Sequence, residues 1–255
     1  MAAFSTRQGG FSRGVYRALN LAFHVGDDPS AVRRNREAIL GALGFGLDDL
    51  VCGEQVHGNL VRVVDGAARG CGARTPATAL PGTDGLVTGS PGVVLGAFFA
   101  DCVPVFLADI AGRCVGLVHA GWRGTAAGIV RAGVKVMEEV FGVAPASLAA
   151  VIGPAIGACC YEVGEDVVAQ IEAAGVAGVA WRTAQGRWRL DLAQANRAQL
   201  VGAGVDPGLI RIMPYCTFCS RDLFYSHRGS GGLTGRMGGF IALKRVGEDG
   251  QDSRG

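Results

Sequence analysis

The stretch LVTGSPGVVLGAFFADCVPVFLADIAGRCVGLVHAGWRGT, Leu86–Thr125, decides the fold. It holds four short apolar runs: Leu86–Thr88, Val93–Phe99, Val103–Leu107 and Cys114–His119. Each is rich in Val, Phe or Leu, and turn residues separate them, so each reads as a strand. Strands clustered between helices, rather than alternating strictly with them, predict a mixed α+β layered sandwich instead of a doubly wound parallel sheet.

Downstream, Thr125–Phe141 carries Ile129, Val130, Val134, Met137 and Phe141 on one helical stripe. A strand is expected at Leu148–Ile152, a helix at Glu162–Ala174, and a helix at Leu192–Ala203 capped by Asp191. Ile210–Met213 and Phe240–Leu243 complete the strands. Upstream, Asp28 and Pro29 start a helix whose inner face is Val32, Arg36, Ile39, Leu40 and Leu43, and Gly44 stops it. Leu60–Val64 reads as a strand. With no linker and no fixed-period repeat, the chain is expected to be one catalytic domain, 1–245, followed by a polar tail, 246–255.

Composition narrows the function. The 255 residues are 49% hydrophobic, too apolar for disorder. A net charge of +2 gives no bulk attraction for nucleic acid or an anionic membrane. No apolar run is long and clean enough to span a bilayer. The start, MAAFSTRQGG, lacks the features of a signal peptide, so a cytoplasmic location is expected, with the eight cysteines mostly reduced. No exposed apolar helix or heptad seam is evident, which favours a monomer.

Chemistry concentrates in three segments: Gln55-Val56-His57-Gly58, Ala100-Asp101-Cys102-Val103-Pro104, and Val118–Thr125 with His119 and Arg123. Each adjoins a strand end, where a rigid scaffold presents reactive groups. Two imidazoles and a thiolate suit zinc with a fourth position open. Cys102 with His119 also forms a possible thiolate–imidazole dyad. The two roles exclude each other for one sulfur, and the spacing does not decide between them. Arg123 at a glycine-flanked helix start, with Arg228 and Arg236 around Gly229–Gly232, suits phosphate or carboxylate. Asp84, Asp101 and Glu162 are candidate proton shuttles. Asn20 and His24 form a polar pair before the first helix. Cys216 and Cys219 make a lone CxxC, and Cys159-Cys160 lacks the spacing of a second zinc-ribbon pair.

Together these segments resemble the YfiH family, also called laccase-domain or peptidoglycan-editing-factor proteins. The resemblance rests on TRQGGFS (Thr6–Ser12), LNLAFHVGDDP (Leu19–Pro29), EQVHG (Glu54–Gly58), TDGLVT (Thr83–Thr88) and ADCVPV (Ala100–Val105). It continues through VHAGWRGT (Val118–Thr125), IGPAIGACCYEVG (Ile152–Gly164), CTFC (Cys216–Cys219) and TGRM (Thr234–Met237). It implies a single-domain four-layer α/β/β/α sandwich with His57, Cys102 and His119 as zinc ligands.

The resemblance also implies purine nucleoside chemistry: phosphorolysis of adenosine, inosine and methylthioadenosine, and adenosine deamination. Family members are linked as well to amide hydrolysis of a wrongly loaded UDP-MurNAc precursor, and to an older polyphenol oxidase label. Candidate catalytic residues are then Cys102, His119, Arg123 and Asp101. Candidate substrate-binding residues are Asn20, His24, Gln55, Asp84, Glu162, Arg228 and Arg236. Zinc is the expected cofactor, with a lone copper as the lesser choice. Four histidines without a His-x-His pair cannot supply a multicopper centre. The partner is a small molecule: a purine nucleoside with phosphate, or the precursor. A non-catalytic zinc module needs a fourth ligand, and Cys216 is one thiol that could supply it. Relatives carry a strand before TRxGG, and with only five residues ahead of Thr6 the expectation is a truncated start or a lost strand. Ala22 stands where the family often has Gly, and Ser226-His227-Arg228-Gly229 lacks a second Arg.

Overall fold

The computed structural model describes residues 1–244, so the expected tail lies outside the described residues. In chain order the elements are β1 (Ala2–Phe4), α1 (Pro29–Ala42), β2 (Leu50–Cys52), β3 (Val61–Val63), β4 (Gly85–Thr88), β5 (Val94–Phe99), β6 (Val103–Asp109) and β7 (Val115–Ala120). Then follow α2 (Trp122–Ala126), α3 (Ile129–Phe141), β8 (Leu148–Ile152), β9 (Glu162–Val163), α4 (Glu165–Ala173), β10 (Ala180–Arg182), β11 (Trp188–Leu190), α5 (Leu192–Gly202), β12 (Ile210–Ile212) and β13 (Met237–Ala242).

Two sheets stack face to face. One has the order β1-β13-β5-β2 and the other β12-β8-β6-β7-β4-β3. Strand alternation divides each sheet's side chains between two cores. Leu95, Ala97 and Phe99 of β5 meet Phe106, Val115 and Leu117 of the larger sheet between the two layers. Val94 and Phe98 of β5 point the other way, toward Leu40 of α1. Val105, Leu107 and Val118 face Ile129, Val134 and Met137 of α3 and Leu200 of α5. The layers are therefore α/β/β/α. The larger sheet covers one face of β5 and α1 the other, so β5 is buried along its whole length, which explains its unbroken apolar sequence.

β5 and β6 are consecutive in sequence but lie in different sheets. Ala100-Asp101-Cys102 is the crossing between layers. At the far end of β6, the turn to β7 keeps the chain in the larger sheet, and β6 pairs β7 from Val103↔Ala120 to Ala108↔Val115. α1 starts as expected, with the Asp28 carboxylate accepting the Ser30 N–H, and Gly44 follows its end at φ +81°.

Three expectations need correction, and three strands were not foreseen. The helix expected from Thr125 begins earlier and is broken: Gly128 turns left-handed at φ +78° between α2 and α3. Glu162 and Val163 are strand rather than helix, because they pair with β11. The β10–β11 hairpin and β2 carried too little apolar periodicity to be found. The strand ahead of Thr6 is present, as Ala2–Phe4 pairs antiparallel with Gly239–Ile241.

Candidate functional site

The site forms where three strand ends and the layer crossing meet. In the antiparallel β4–β7 pair, Gly85 lies opposite Val118, and the His119 N–H donates to the Asp84 carbonyl at 2.8 Å. Cross-strand neighbours share a face, so the Asp84 carboxylate also reaches His119, with Oδ1 2.8 Å from Nδ1. Nδ1 is thereby occupied, and Nε2 is the ring nitrogen left for Cys102. The same carboxylate accepts the backbone N–H groups of Val56, His57 and Gly58 at 3.1, 3.0 and 2.7 Å. One Asp side chain therefore fixes two imidazole-bearing segments.

One ligand atom each from His57, Cys102 and His119 lies within 4.8 Å of the others. This cluster can hold a metal ion, since its donor set is that of an open three-ligand site. His57 and Asp101 are the non-glycine residues with positive φ among the described residues, at +63° and +82°. Such conformations cost about 1–3 kcal/mol each and persist where surrounding bonds over-determine them. Here those bonds are the Asp84 contact to the His57 N–H and two bonds to the Asp101 carboxylate. Gly121 completes the cradle. A Cβ there would sit 2.8 Å from His57 Cδ2 and 3.0 Å from Cys102 Sγ.

The charges are coupled. Burial pushes the Cys102 thiol up, but the His119 charge and hydrogen bonds from His119 and His57 outweigh it and bring it down to about 6. Burial alone would depress His119, whereas the Cys102 charge and the Asp84 hydrogen bond carry it up to about 9. Burial likewise pushes Asp84 up, and His119 with the loop N–H groups holds it below the usual carboxylate range. Without metal, both shifts favour a thiolate beside an imidazolium at neutral pH.

These groups open into a cavity of about 380 Å³. His24, His227, Arg123, Arg228 and Arg236 give it a basic wall, and Phe98, Trp122 and Tyr161 give it aromatic surface. The Arg123 guanidinium lies 4.4 Å from the Trp122 ring centroid and has no ion pair among the described residues. Arg236 is held by the Thr234 and Gly235 carbonyls, and Arg228 by the Glu162 carbonyl. Burial, then the Arg236 charge, lowers His24 to about 4, so it is neutral at physiological pH.

Several sequence candidates occupy other roles. Glu162 does not line the cavity, because its carboxylate is taken by Arg187 at 3.0 Å on the β9–β11 surface. Asn20 is fully buried and bonded to Asp27, Ala22 and the Arg236 N–H, so it shapes the wall from behind. The Gln55 side chain lines the cavity, with both amide ends bonded to the Phe98 backbone. Asp101 lines it too, but its oxygens accept from the Thr217 hydroxyl and the Arg228 N–H, both at 2.7 Å. Asp84 is engaged with His119 and the loop, which makes it a positioning group in this arrangement. Arg123 does stand at a helix start behind Gly121, but α2 is only 5 residues long and adds little dipole to its charge.

A family model described as multi-copper polyphenol oxidoreductase laccase matches residues 1–244. The crystal structure of hypothetical protein YfiH from Bacillus licheniformis superposes with a TM-score of 0.93 at 41% identity, covering 95% of this chain and 92% of that one. The chain belongs to the YfiH laccase-domain family. Among its YfiH-family relatives, purine nucleoside phosphorylase YlmD of Geobacillus stearothermophilus is 44% identical over 247 residues, covering 96% of this chain and 90% of the relative. Adenosine deaminase RL5, from an unknown prokaryotic organism, is 39% identical over 240 residues, covering 92% and 90%. Both of these YfiH-family relatives carry the names of nucleoside-processing enzymes. No helix of the described residues is long and apolar enough to cross a membrane.

In this YfiH-family chain, sequence reasoning passed over Tyr161, Trp122, Phe98 and His227 as cavity residues. Tyr161 and Trp122 lie inside segments already singled out, next to Cys160 and Arg123, and adjacency was the available signal. Phe98 read only as strand core. Cys159, Cys160, Cys216 and Cys219 come together within 4.8 Å, which sequence spacing had discounted.

Proposed function

We propose that this protein is a zinc-dependent purine nucleoside phosphorylase with adenosine deaminase activity. The observation that carries the reading is the convergence of His57, Cys102 and His119 beside three arginines in one cavity. The names of its relatives supply the substrate class.

His57, Cys102 and His119 would hold the zinc, which when bound supplies Lewis acidity beside the substrate. Two imidazoles and a thiolate favour zinc, and four histidines are too few for a multicopper centre. Asp84 fixes the His119 tautomer and anchors the His57 loop. Arg123, whose guanidinium has no carboxylate partner, binds phosphate, and Arg228 and Arg236 add positive potential. Phe98, Trp122 and Tyr161 offer faces on which a purine stacks, and exclude water around it. In phosphorolysis the N-glycosidic bond breaks, phosphate bonds to the ribose C1′, and the base leaves with the bonding pair and takes up a proton. Deamination exchanges the adenine amino group for a water oxygen and releases ammonia.

The Asp84–His119–Cys102 arrangement favours a second reading: amide hydrolysis with Cys102 as nucleophile and His119 as its proton partner. A monomer in the cytoplasm fits both readings.

One parallel assay separates them. Adenosine with phosphate, adenosine alone, and UDP-MurNAc-L-Ser are each incubated with wild type and Cys102→Ala, and products are resolved by chromatography. Adenine plus ribose 1-phosphate only with phosphate supports phosphorolysis, inosine supports deamination, and free serine supports the amidase. Full activity of Cys102→Ala on every substrate would remove Cys102 from the centre of the scheme.

A further inference from the structure

The structure carries a second cluster of metal-ligating side chains, away from the His57–Cys102–His119 cradle. We propose that Cys159, Cys160, Cys216 and Cys219 form a tetrathiolate zinc site that clamps one wall of the cavity.

The four sulfurs all lie within 4.8 Å of one another. Cys219 Sγ is 3.4 Å from Cys160 Sγ and 3.7 Å from Cys159 Sγ. Four thiolates at about 2.3 Å from a tetrahedral zinc sit about 3.8 Å apart. The observed separations match that edge and greatly exceed a disulfide bond of about 2.05 Å. A single disulfide would use two sulfurs and give no reason for four to converge. The Gly157 N–H also donates to Cys216 Sγ at 3.2 Å, a contact that stabilises sulfur carrying negative charge.

The backbone explains how a vicinal pair and a CxxC meet. Ala155 and Cys216 form a parallel β-bridge, and the Thr217 N–H donates to the Ala155 carbonyl at 3.0 Å. The turn closed by the Cys160 and Tyr161 N–H groups on the Gly157 carbonyl then brings both vicinal thiols to the CxxC turn. Binding converts four thiols and Zn²⁺ into one tetrathiolate ion of net charge −2 and releases four protons, with no change of oxidation state. A closed four-ligand set leaves no position for substrate, so this zinc is structural.

Its neighbours give it a task. Ile156 and Tyr161 line the cavity, and Thr217 holds the Asp101 carboxylate. Zinc at the four cysteines ties both loops to one point.

The test is metal analysis of the full chain purified from zinc-supplemented medium, beside Cys102→Ala and the double variant Cys216→Ser/Cys219→Ser. Wild type should carry about two zinc ions per chain and each variant about one. Cobalt substitution in Cys102→Ala should give the thiolate charge-transfer and intense tetrahedral d–d bands of a tetrathiolate site. If the double variant does not fold, wild type is alkylated with iodoacetamide, with and without chelator, and mapped by mass spectrometry. Cys159 and Cys219 are exposed, so free thiols there would react at once. Protection lifted by the chelator supports the site. Immediate labelling, a disulfide among the four, or a double variant that keeps all the wild-type zinc overturns it. None of these readouts depends on the activity proposed above.

Discussion

Asp84 Oδ1 lies 2.8 Å from His119 Nδ1, and the same carboxylate accepts three consecutive N–H groups from Val56 to Gly58. The bond sets the tautomer of one imidazole while the loop contacts hold the backbone of another. Asp84→Asn should therefore weaken zinc binding at the triad by about 10–100-fold, the usual cost of losing an outer-shell carboxylate. Competition against a chromophoric chelator measures this. Unchanged affinity would reduce Asp84 to a loop anchor.

Gly121 faces the triad directly. Its backbone, φ −71° and ψ 170°, suits any residue, so Gly121→Ala should fold with stability changed by no more than about 1 kcal/mol. The added methyl would press on His57 and Cys102. Zinc at this site should fall below half occupancy and activity should fall with it, while Tm hardly moves. Full zinc content in the variant would show that the cradle has slack.

Arg36 is almost fully buried, and its guanidinium donates to the carbonyls of Leu21, Gly72 and Ala73 at 2.7, 2.7 and 2.9 Å. Burial lowers it to about 10, so it stays charged at neutral pH. Arg36→Met leaves buried acceptors without a donor and should cost about 3 kcal/mol or more. Urea unfolding reads this as a lower midpoint at constant slope. A loss under about 1 kcal/mol would mean that water replaces the guanidinium.

His24 is lowered to about 4 from an ordinary 6.5. Between those values the unfolded chain binds a proton that the folded chain refuses. Its contribution to stability is thus complete above 6.5 and declines as pH falls toward 4. The imidazole faces an open cavity, so the effect is small. An NMR titration should place the His24 midpoint well below 6.5, and His24→Gln should unfold with a shallower loss of stability across pH 4–6.5. A midpoint at 6.5 or above would show that neither burial nor Arg236 governs this ring.

Much of this molecule was legible locally. Asp28 and Gly44 bound α1, and the apolar runs of β4 to β8 announce strands. Gly128 hid the break between α2 and α3, because a single glycine inside an apolar stripe interrupts hydrogen bonding without disturbing periodicity. The β10–β11 hairpin escaped because its strands are short and half exposed. Within the cavity, His57, Cys102, His119 and Arg123 were found from their place beside strand ends. Glu162 was misplaced because chain position says nothing about Arg187, which arrives from the turn just before β11.

The sequence by itself determined most of the strands and helices, the layered α+β class, and the donor types available for chemistry. These follow from periodicity, capping and side-chain identity, all of which act over a few residues. Tertiary structure alone decided which donors meet. The crossing from β5 to β6 places Cys102 between sheets, the β4–β7 register sets Asp84 against His119, and the Ala155–Cys216 bridge joins two distant cysteine pairs. Each depends on register and chain reversal between segments far apart in sequence, where spacing along the chain carries no information about separation in space.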